Sequence, residues 1–248
     1  MKAQYQQFIR THNHKTAING ENLVALNGLT ERNHVEYLQD VCADLFPNPQ
    51  GLKALDMGAA HGVCAMALAE LGMQVAAYDM YRSSVAIVHK MAMEQHLNIS
   101  FRVGGSLQIE QLQEKFDLIH DRDCLTHIPL PLDRARFLQS LRKMLAEDGK
   151  LVIRTCILSP QFDPDDSFES ICLDADYILW RQTPESDAPG VVAMNGRHWT
   201  AQKRLPPAEV IRQELCRAGF MILDEEIELV PGNNPSILRL VVTSAPGR

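Results

Sequence analysis

The sequence predicts an α/β fold, a mostly parallel sheet covered by helices on both faces. Three observations carry this. Short apolar strands alternate with helix-period segments from residue 53 to residue 157. The first strand runs into a turn of small residues, Leu55-Asp56-Met57-Gly58-Ala59-Ala60-His61-Gly62, that opens a helix, and the second strand stops at a carboxylate, Asp79. Alternation of this kind places ligands at the carboxyl ends of the strands. A small-residue turn at a helix N-terminus seats a polar or anionic group, and an acid at the next strand end suits a ribose.

The elements follow in order. From Thr30, read as an N-cap, Val35, Leu38, Val41, Cys42 and Leu45 recur at helical spacing until Pro47–Gly51 breaks the chain. Lys53–Met57 is a strand, and Gly62–Leu71 a helix closed by Gly72. Gln74–Asp79 is the second strand, followed by a helix over Ser83–His96 capped by Ser83 or Ser84. Ile99–Val103 and Phe116–His120 are the third and fourth strands. Asp133–Leu145 is a helix with Phe137, Leu138, Leu141 and Met144 turned inward, and Leu151–Cys156 is the fifth strand. Pro206-Pro207 starts a last helix through Ala218, proline being tolerated in a first turn. Phe220–Val230 and Ser236–Ser244 form a terminal hairpin across Pro231–Pro235. Two segments lack clean periodicity. Residues 1–28 read as an N-terminal arm or lid, and residues 158–204, with Phe162, Phe168, Tyr177, Trp180, Arg197 and Trp199, as a substrate-recognition insert in a single domain spanning 1–248.

Bulk properties narrow the partners. The chain has 248 residues, 46% hydrophobic and 22% charged, an ordinary globular balance. Its formal charge of −7 and the lack of a clustered Lys/Arg–aromatic stripe count against nucleic acid. No apolar run reaches the roughly 20 residues of a membrane span, and the N-terminus is unlike a signal peptide. The six cysteines are scattered without a C-x-x-C pair, which favours thiols in a reducing compartment and a cytoplasmic location.

Two cofactors suit the first turn. A dinucleotide fingerprint wants G-x-G-x-x-G, but the three positions here are Gly58, Ala60 and Val63. The spacing G-x-G-x-G, with Gly58, Ala60 and Gly62, fits better, and there is no Tyr-x-x-x-Lys for a short-chain dehydrogenase. With the terminal hairpin added, the chain resembles the class I S-adenosylmethionine-dependent methyltransferases, over residues 30–157 and, in architecture, 206–244. The resemblance implies a Rossmann-like seven-stranded sheet of order 3-2-1-4-5-7-6 with one antiparallel strand. It also implies S-adenosylmethionine as cofactor. Asp56, Gly58, Ala60 and Gly62 would surround its methionine part, Asp79 its ribose hydroxyls, and Met80 its adenine. Gly105-Ser106 stands where many members carry an acid near the adenine amino group, and His120-Asp121 would close the fourth strand beside the transferred methyl.

Chemistry is expected just after that strand, in Asp121-Arg122-Asp123-Cys124-Leu125-Thr126-His127-Ile128. An oxygen or protonated-nitrogen acceptor must lose a proton, and histidine does this near neutrality. A helical turn would put Asp123 and His127 on one face at i, i+4, where the acid could orient the imidazole. The segment also resembles the R-D-x-x-L-x-H pattern of the phosphoethanolamine and sarcosine methyltransferases. In the former the histidine matching His127 is catalytic and its tyrosine partner comes from a lid, which makes Tyr5 the candidate here. His120, Asp121, Asp123 and His127 could alternatively hold a divalent ion, but two histidines dilute a magnesium site, so no metal is assigned. The reading is methyl transfer to an oxygen or nitrogen of a small molecule. A methyltransferase-like module that only binds, or a protein methyltransferase, are the alternatives.

Overall fold

The computed structural model describes residues 22–60, 62–162, 169–230 and 235–246, and of residues 22–33, 83, 84 and 87 the backbone alone. Helix α1 covers Asn22–Leu45. It starts eight residues before the predicted cap, because Leu23, Leu26 and Leu29 continue the apolar spacing and no proline interrupts it; Thr30 lies inside the helix. The other elements of the core are β1 (Lys53–Met57), α2 (Val63–Glu70), β2 (Gln74–Asp79), α3 (Arg82–Glu94), β3 (Ile99–Val103), β4 (Phe116–Arg122), α4 (Pro131–Met144) and β5 (Leu145–Ile157). A 3-10 turn over Ser106–Gln111 follows β3. Helix α3 starts at Arg82, ahead of the predicted serine cap. The residue before it, Tyr81, has its backbone N–H held by the Asp79 carboxylate at 2.8 Å.

After β5 come β6 (Ile171–Leu173), β7 (Ile178–Thr183), β8 (Val191–Met194), β9 (Arg197–Arg204), α5 (Ala208–Arg217), β10 (Phe220–Glu228) and β11 (Ser236–Ser244). The main sheet has seven strands in the order β3-β2-β1-β4-β5-β11-β10. β11 runs antiparallel to β5 and β10 antiparallel to β11, and the remaining pairs are parallel. Taken in chain order this is the expected 3-2-1-4-5-7-6 arrangement. The insert, predicted only as irregular, folds into its own four-stranded antiparallel sheet of order β6-β7-β9-β8.

Strand periodicity divides the core in two. Leu55, Met57, Ile119 and Ile153 face Phe137, Leu141, Ile211 and Leu215 of α4 and α5. Ala54, Leu118 and Val152 face Leu38 and Cys42 of α1 and Cys64 and Leu68 of α2. Successive side chains alternate faces, so Asp56 and His120 belong to the α1/α2 side. The two are register partners on adjacent parallel strands.

Candidate active site

The cleft at the carboxyl ends of β1, β2 and β4 is lined by Gly58, Asp79, Met80 and Tyr81 on one wall, and by Asp123 and His127 on the other. Tyr78, Gly104, Ser106, Arg122 and Cys124 complete it. Asp79 is the most constrained of these. Its Oδ2 accepts the N–H of Ala60 at 2.9 Å and its Oδ1 the N–H of Tyr81 at 2.8 Å. Burial pushes its carboxyl above the usual range, with the repulsion of Asp56 acting the same way and those two N–H donors pulling against it. Each oxygen keeps a second lone pair, so the acid holds the first turn closed and still offers acceptors to the cleft.

The turn works through backbone shape. Gly58 has φ +70° and packs against the end of β4: a Cβ there would sit 2.6 Å from the Arg122 carbonyl oxygen. Ala60, which replaces the expected middle glycine, keeps the left-handed conformation at φ 44°. That conformation costs an alanine about 1–2 kcal/mol, which the Asp79 bond to its N–H offsets. Ala60→Gly is therefore expected to stabilise the fold by about 0.5–1 kcal/mol net of glycine's added chain entropy. A urea midpoint that falls instead would show that the alanine methyl packs favourably.

Three predicted cofactor contacts are placed elsewhere. Asp56, His120 and Asp121 are fully buried beneath the cleft, not on its surface. His120 Nδ1 bonds Asp56 Oδ1 at 2.6 Å and its Nε2 lies 2.9 Å from His34 Nε2. Asp121 points to the other side of the sheet, where its oxygens accept the N–H groups of Cys124 (2.9 Å) and Leu125 (3.2 Å). Burial raises its pKa to about 7, although both N–H donors favour the charged form. Its part is to fold the turn that carries His127. Ala60 and Gly62 shape the first turn, and Gly105 continues the Gly104–Ser106 wall. Tyr5 lies outside the described residues.

Asp123 and His127 do meet, but not as predicted. The Asp123 carboxylate is paired with Arg154. The contact to His127 comes from the Asp123 backbone carbonyl, 2.9 Å from His127 Nδ1. A carbonyl can only accept, so Nδ1 carries a proton, and in the neutral form of the imidazole the basic lone pair is on Nε2. Asp123 can adopt this because its φ is +61°, a left-handed conformation that aspartate tolerates better than most residues.

The turn is held from three sides. Arg134, 1% exposed, donates through Nη1 to the carbonyls of Leu125 (2.5 Å) and Ile128 (3.3 Å), and through Nε and Nη2 to Glu214. The backbone N–H of Arg204 on β9 donates to the Thr126 carbonyl at 2.9 Å, and its guanidinium pairs with the same Glu214. Thr126 Oγ1 bonds Thr155 Oγ1 at 2.9 Å and accepts the Cys156 N–H. The insert sheet is thus attached directly to the His127 turn. Sequence reasoning missed Arg134, Glu214, Tyr81 and His34. A charged residue such as Arg134 inside the apolar stripe of a predicted helix is the signal that marks such a position.

A seven-stranded sheet of this order, with an acid at the end of β2 over a small-residue turn, defines a class of protein. The methyltransferase domain family matches residues 30–224, and the chain belongs to that family. A ubiquinone biosynthesis O-methyltransferase of Glaesserella parasuis is 28% identical over 184 residues, covering 71% of this chain and 66% of that protein. One from Actinobacillus pleuropneumoniae is 32% identical over 150 residues, 58% of this chain and 59% of that protein. The chain thus spans about three-fifths to two-thirds of the length of these relatives. The structure of the Burkholderia thailandensis 1,6-didemethyltoxoflavin-N1-methyltransferase with bound 1,6-didemethyltoxoflavin and S-adenosylhomocysteine superposes with a TM-score of 0.64. It shares 16% identity, covering 99% of this chain and 91% of that one, which bears on the fold alone.

Proposed function

We propose that this chain transfers a methyl group from S-adenosylmethionine to a hydroxyl group of a small molecule, with an amine as the second acceptor class. The observation that carries the reading is the pairing, across one cleft, of a doubly N–H-bonded acid (Asp79) with a histidine (His127) whose Nδ1 donates to a backbone carbonyl. The residues suit the cofactor. Asp79 presents acceptor lone pairs to ribose hydroxyls, Met80 and Tyr81 offer a surface to adenine, and the N-terminus of α2 favours the carboxylate of the methionine part. At Gly58 only a hydrogen fits, so the chain can pass close to the bound group. The cofactor supplies an electrophilic methyl on a sulfonium. His127 Nε2 takes the proton as the acceptor oxygen bonds to carbon, and the aligned walls hold the acceptor in line while excluding water. The names of the two relatives favour oxygen over nitrogen.

The insert sheet, joined to the His127 turn through Arg204, forms the acceptor side of the cleft. A reducing, cytoplasmic setting agrees with six cysteines of which none is in a disulfide among the described residues. No helix among those residues is long and apolar enough to cross a membrane. The test is a panel of catechols, phenols and amines with S-adenosylmethionine, read by S-adenosylhomocysteine release and product mass. His127→Gln is expected to lower turnover about 10²–10⁴-fold while S-adenosylhomocysteine affinity is unchanged. Equal turnover in the variant would remove His127 from proton transfer. Failure of the wild type to bind S-adenosylhomocysteine would overturn the reading as a whole.

A further inference from the structure

We propose that His34, Cys64 and His120 form a binding site for one divalent transition-metal ion of the zinc class, beneath the cleft and separate from it. The ligand atoms of the three side chains lie within 4.8 Å of one another. All three residues are buried, at 1%, 2% and 0% exposure. They come from three elements that the fold brings to one face of the sheet. His34 sits on the buried stripe of α1 with Leu38 and Cys42 at i+4 and i+8, Cys64 is in the first turn of α2, and His120 is on β4.

The chemistry of the donors favours this ion. Imidazole and thiolate together suit zinc, and magnesium or calcium would require oxygen ligands. His120 presents Nε2 because its Nδ1 is engaged by Asp56 Oδ1 at 2.6 Å. A metal-bound histidine is commonly oriented in this way by a carboxylate on its other nitrogen. Charge also balances, with a divalent ion offset by the Asp56 carboxylate and a Cys64 thiolate. Without an ion, the polar chain Asp56–His120–His34 ends in two buried atoms lacking a hydrogen-bond partner, Asp56 Oδ2 and His34 Nδ1. An unpaired atom of this kind costs about 1–3 kcal/mol, and coordination through His34 Nδ1 would relieve one of the two. The three protein ligands leave one tetrahedral position for water.

Bound there, the ion would tie α1 to β4 and to the first turn of α2. It would fix the root of the N-terminal segment relative to the small-residue turn above it. The role is structural, and it does not depend on which acceptor is methylated.

The full-length protein, stripped with chelator and titrated with Co²⁺, provides the test. One equivalent is expected to give a thiolate-to-cobalt charge-transfer band together with the intense visible bands of a four-coordinate site, and Zn²⁺ should displace both. Cys64→Ser should abolish the charge-transfer band, whereas Cys156→Ser should retain it. Asp56→Asn should weaken binding about 10–100-fold with the spectrum intact. Circular dichroism of each variant separates loss of a ligand from loss of fold. If Cys64→Ser does not fold, His34→Ala, expected to lower Co²⁺ affinity and change the visible bands, carries the test. Absence of the charge-transfer band in folded wild-type protein, or its survival in Cys64→Ser, would overturn the site and leave Asp56–His120–His34 as a metal-free relay.

Discussion

Replacing Asp79 with Ala is expected to lower the affinity for S-adenosylhomocysteine at least about 100-fold, equivalent to about 2.7 kcal/mol. A ribose hydroxyl donating to a carboxylate forms a charged hydrogen bond worth about 1.5–3 kcal/mol, and the acid can receive two. The same carboxylate holds the Ala60 and Tyr81 N–H groups, so its loss also loosens the turn under the methionine part. Isothermal calorimetry on protein verified as folded separates these contributions when Asp79→Asn is measured alongside. Asparagine keeps one acceptor oxygen and should fall between wild type and alanine. The wild type should also respond to pH. Only the ionised acid accepts from both hydroxyls, and burial raises its pKa. Affinity should therefore be lost as pH falls, beginning above the ordinary carboxylate range, while Asp79→Asn stays flat there. Unchanged affinity in Asp79→Ala would remove the acid from the ribose site.

The fold was legible because its signals are local. Each strand of the parallel core is an apolar run ended by a turn residue, and each helix carries a 3.6-residue stripe, so seven strands could be anticipated from residues 53–157 and the terminal hairpin, while their order came from the resemblance to class I methyltransferases. The insert was anticipated as a segment but not as a sheet, although one of its hairpins carries a local signal. Asn195-Gly196 lies between Val191–Met194 and Arg197–Arg204, and its two residues take φ of 51° and 72°, as a two-residue hairpin turn requires. The other pairings in that sheet join strands as short as three residues, for which periodicity carries little information.

The site was legible in its positions and less so in its directions. Asp79 and His127 line the cleft because strand ends and the turns after them face outward whatever the details. The orientation of Asp56, His120 and Asp121 depends on strand parity and on partners far away in the chain. His120 turns inward because its face of β4 is the one under α1, where His34 meets it. Asp123 turns to Arg154 on β5, 31 residues away and the register partner of the preceding Arg122, and its carboxylate is engaged there and not on His127. Sequence spacing at i, i+4 identifies who is near, while tertiary ion pairs decide which atom makes the contact.

Arg134→Ala should be among the most destabilising single changes in this chain, costing about 3–5 kcal/mol. Breaking one side of a buried ion pair leaves the other charge poorly solvated, and here two backbone carbonyls, those of Leu125 and Ile128, would lose their donor as well. Glu214 retains Arg204, which limits but does not remove the penalty. Urea unfolding of the single variants and of Arg134→Ala with Glu214→Gln measures the coupling; the double change should cost less than the sum, because no unpaired acid remains. The functional consequence follows from geometry. The carbonyls that Arg134 holds flank His127, and Asp79 is on the opposite wall. In conditions where Arg134→Ala remains folded, turnover should fall by more than cofactor affinity, and Arg134→Lys should recover little of it. Lysine carries the charge without the fork that reaches Glu214 and both carbonyls together. A loss of stability below about 1 kcal/mol, in the range of exposed ion pairs, would mean that the clamp is open to water. The His127 turn would then owe its shape to Asp121 and Thr126 alone.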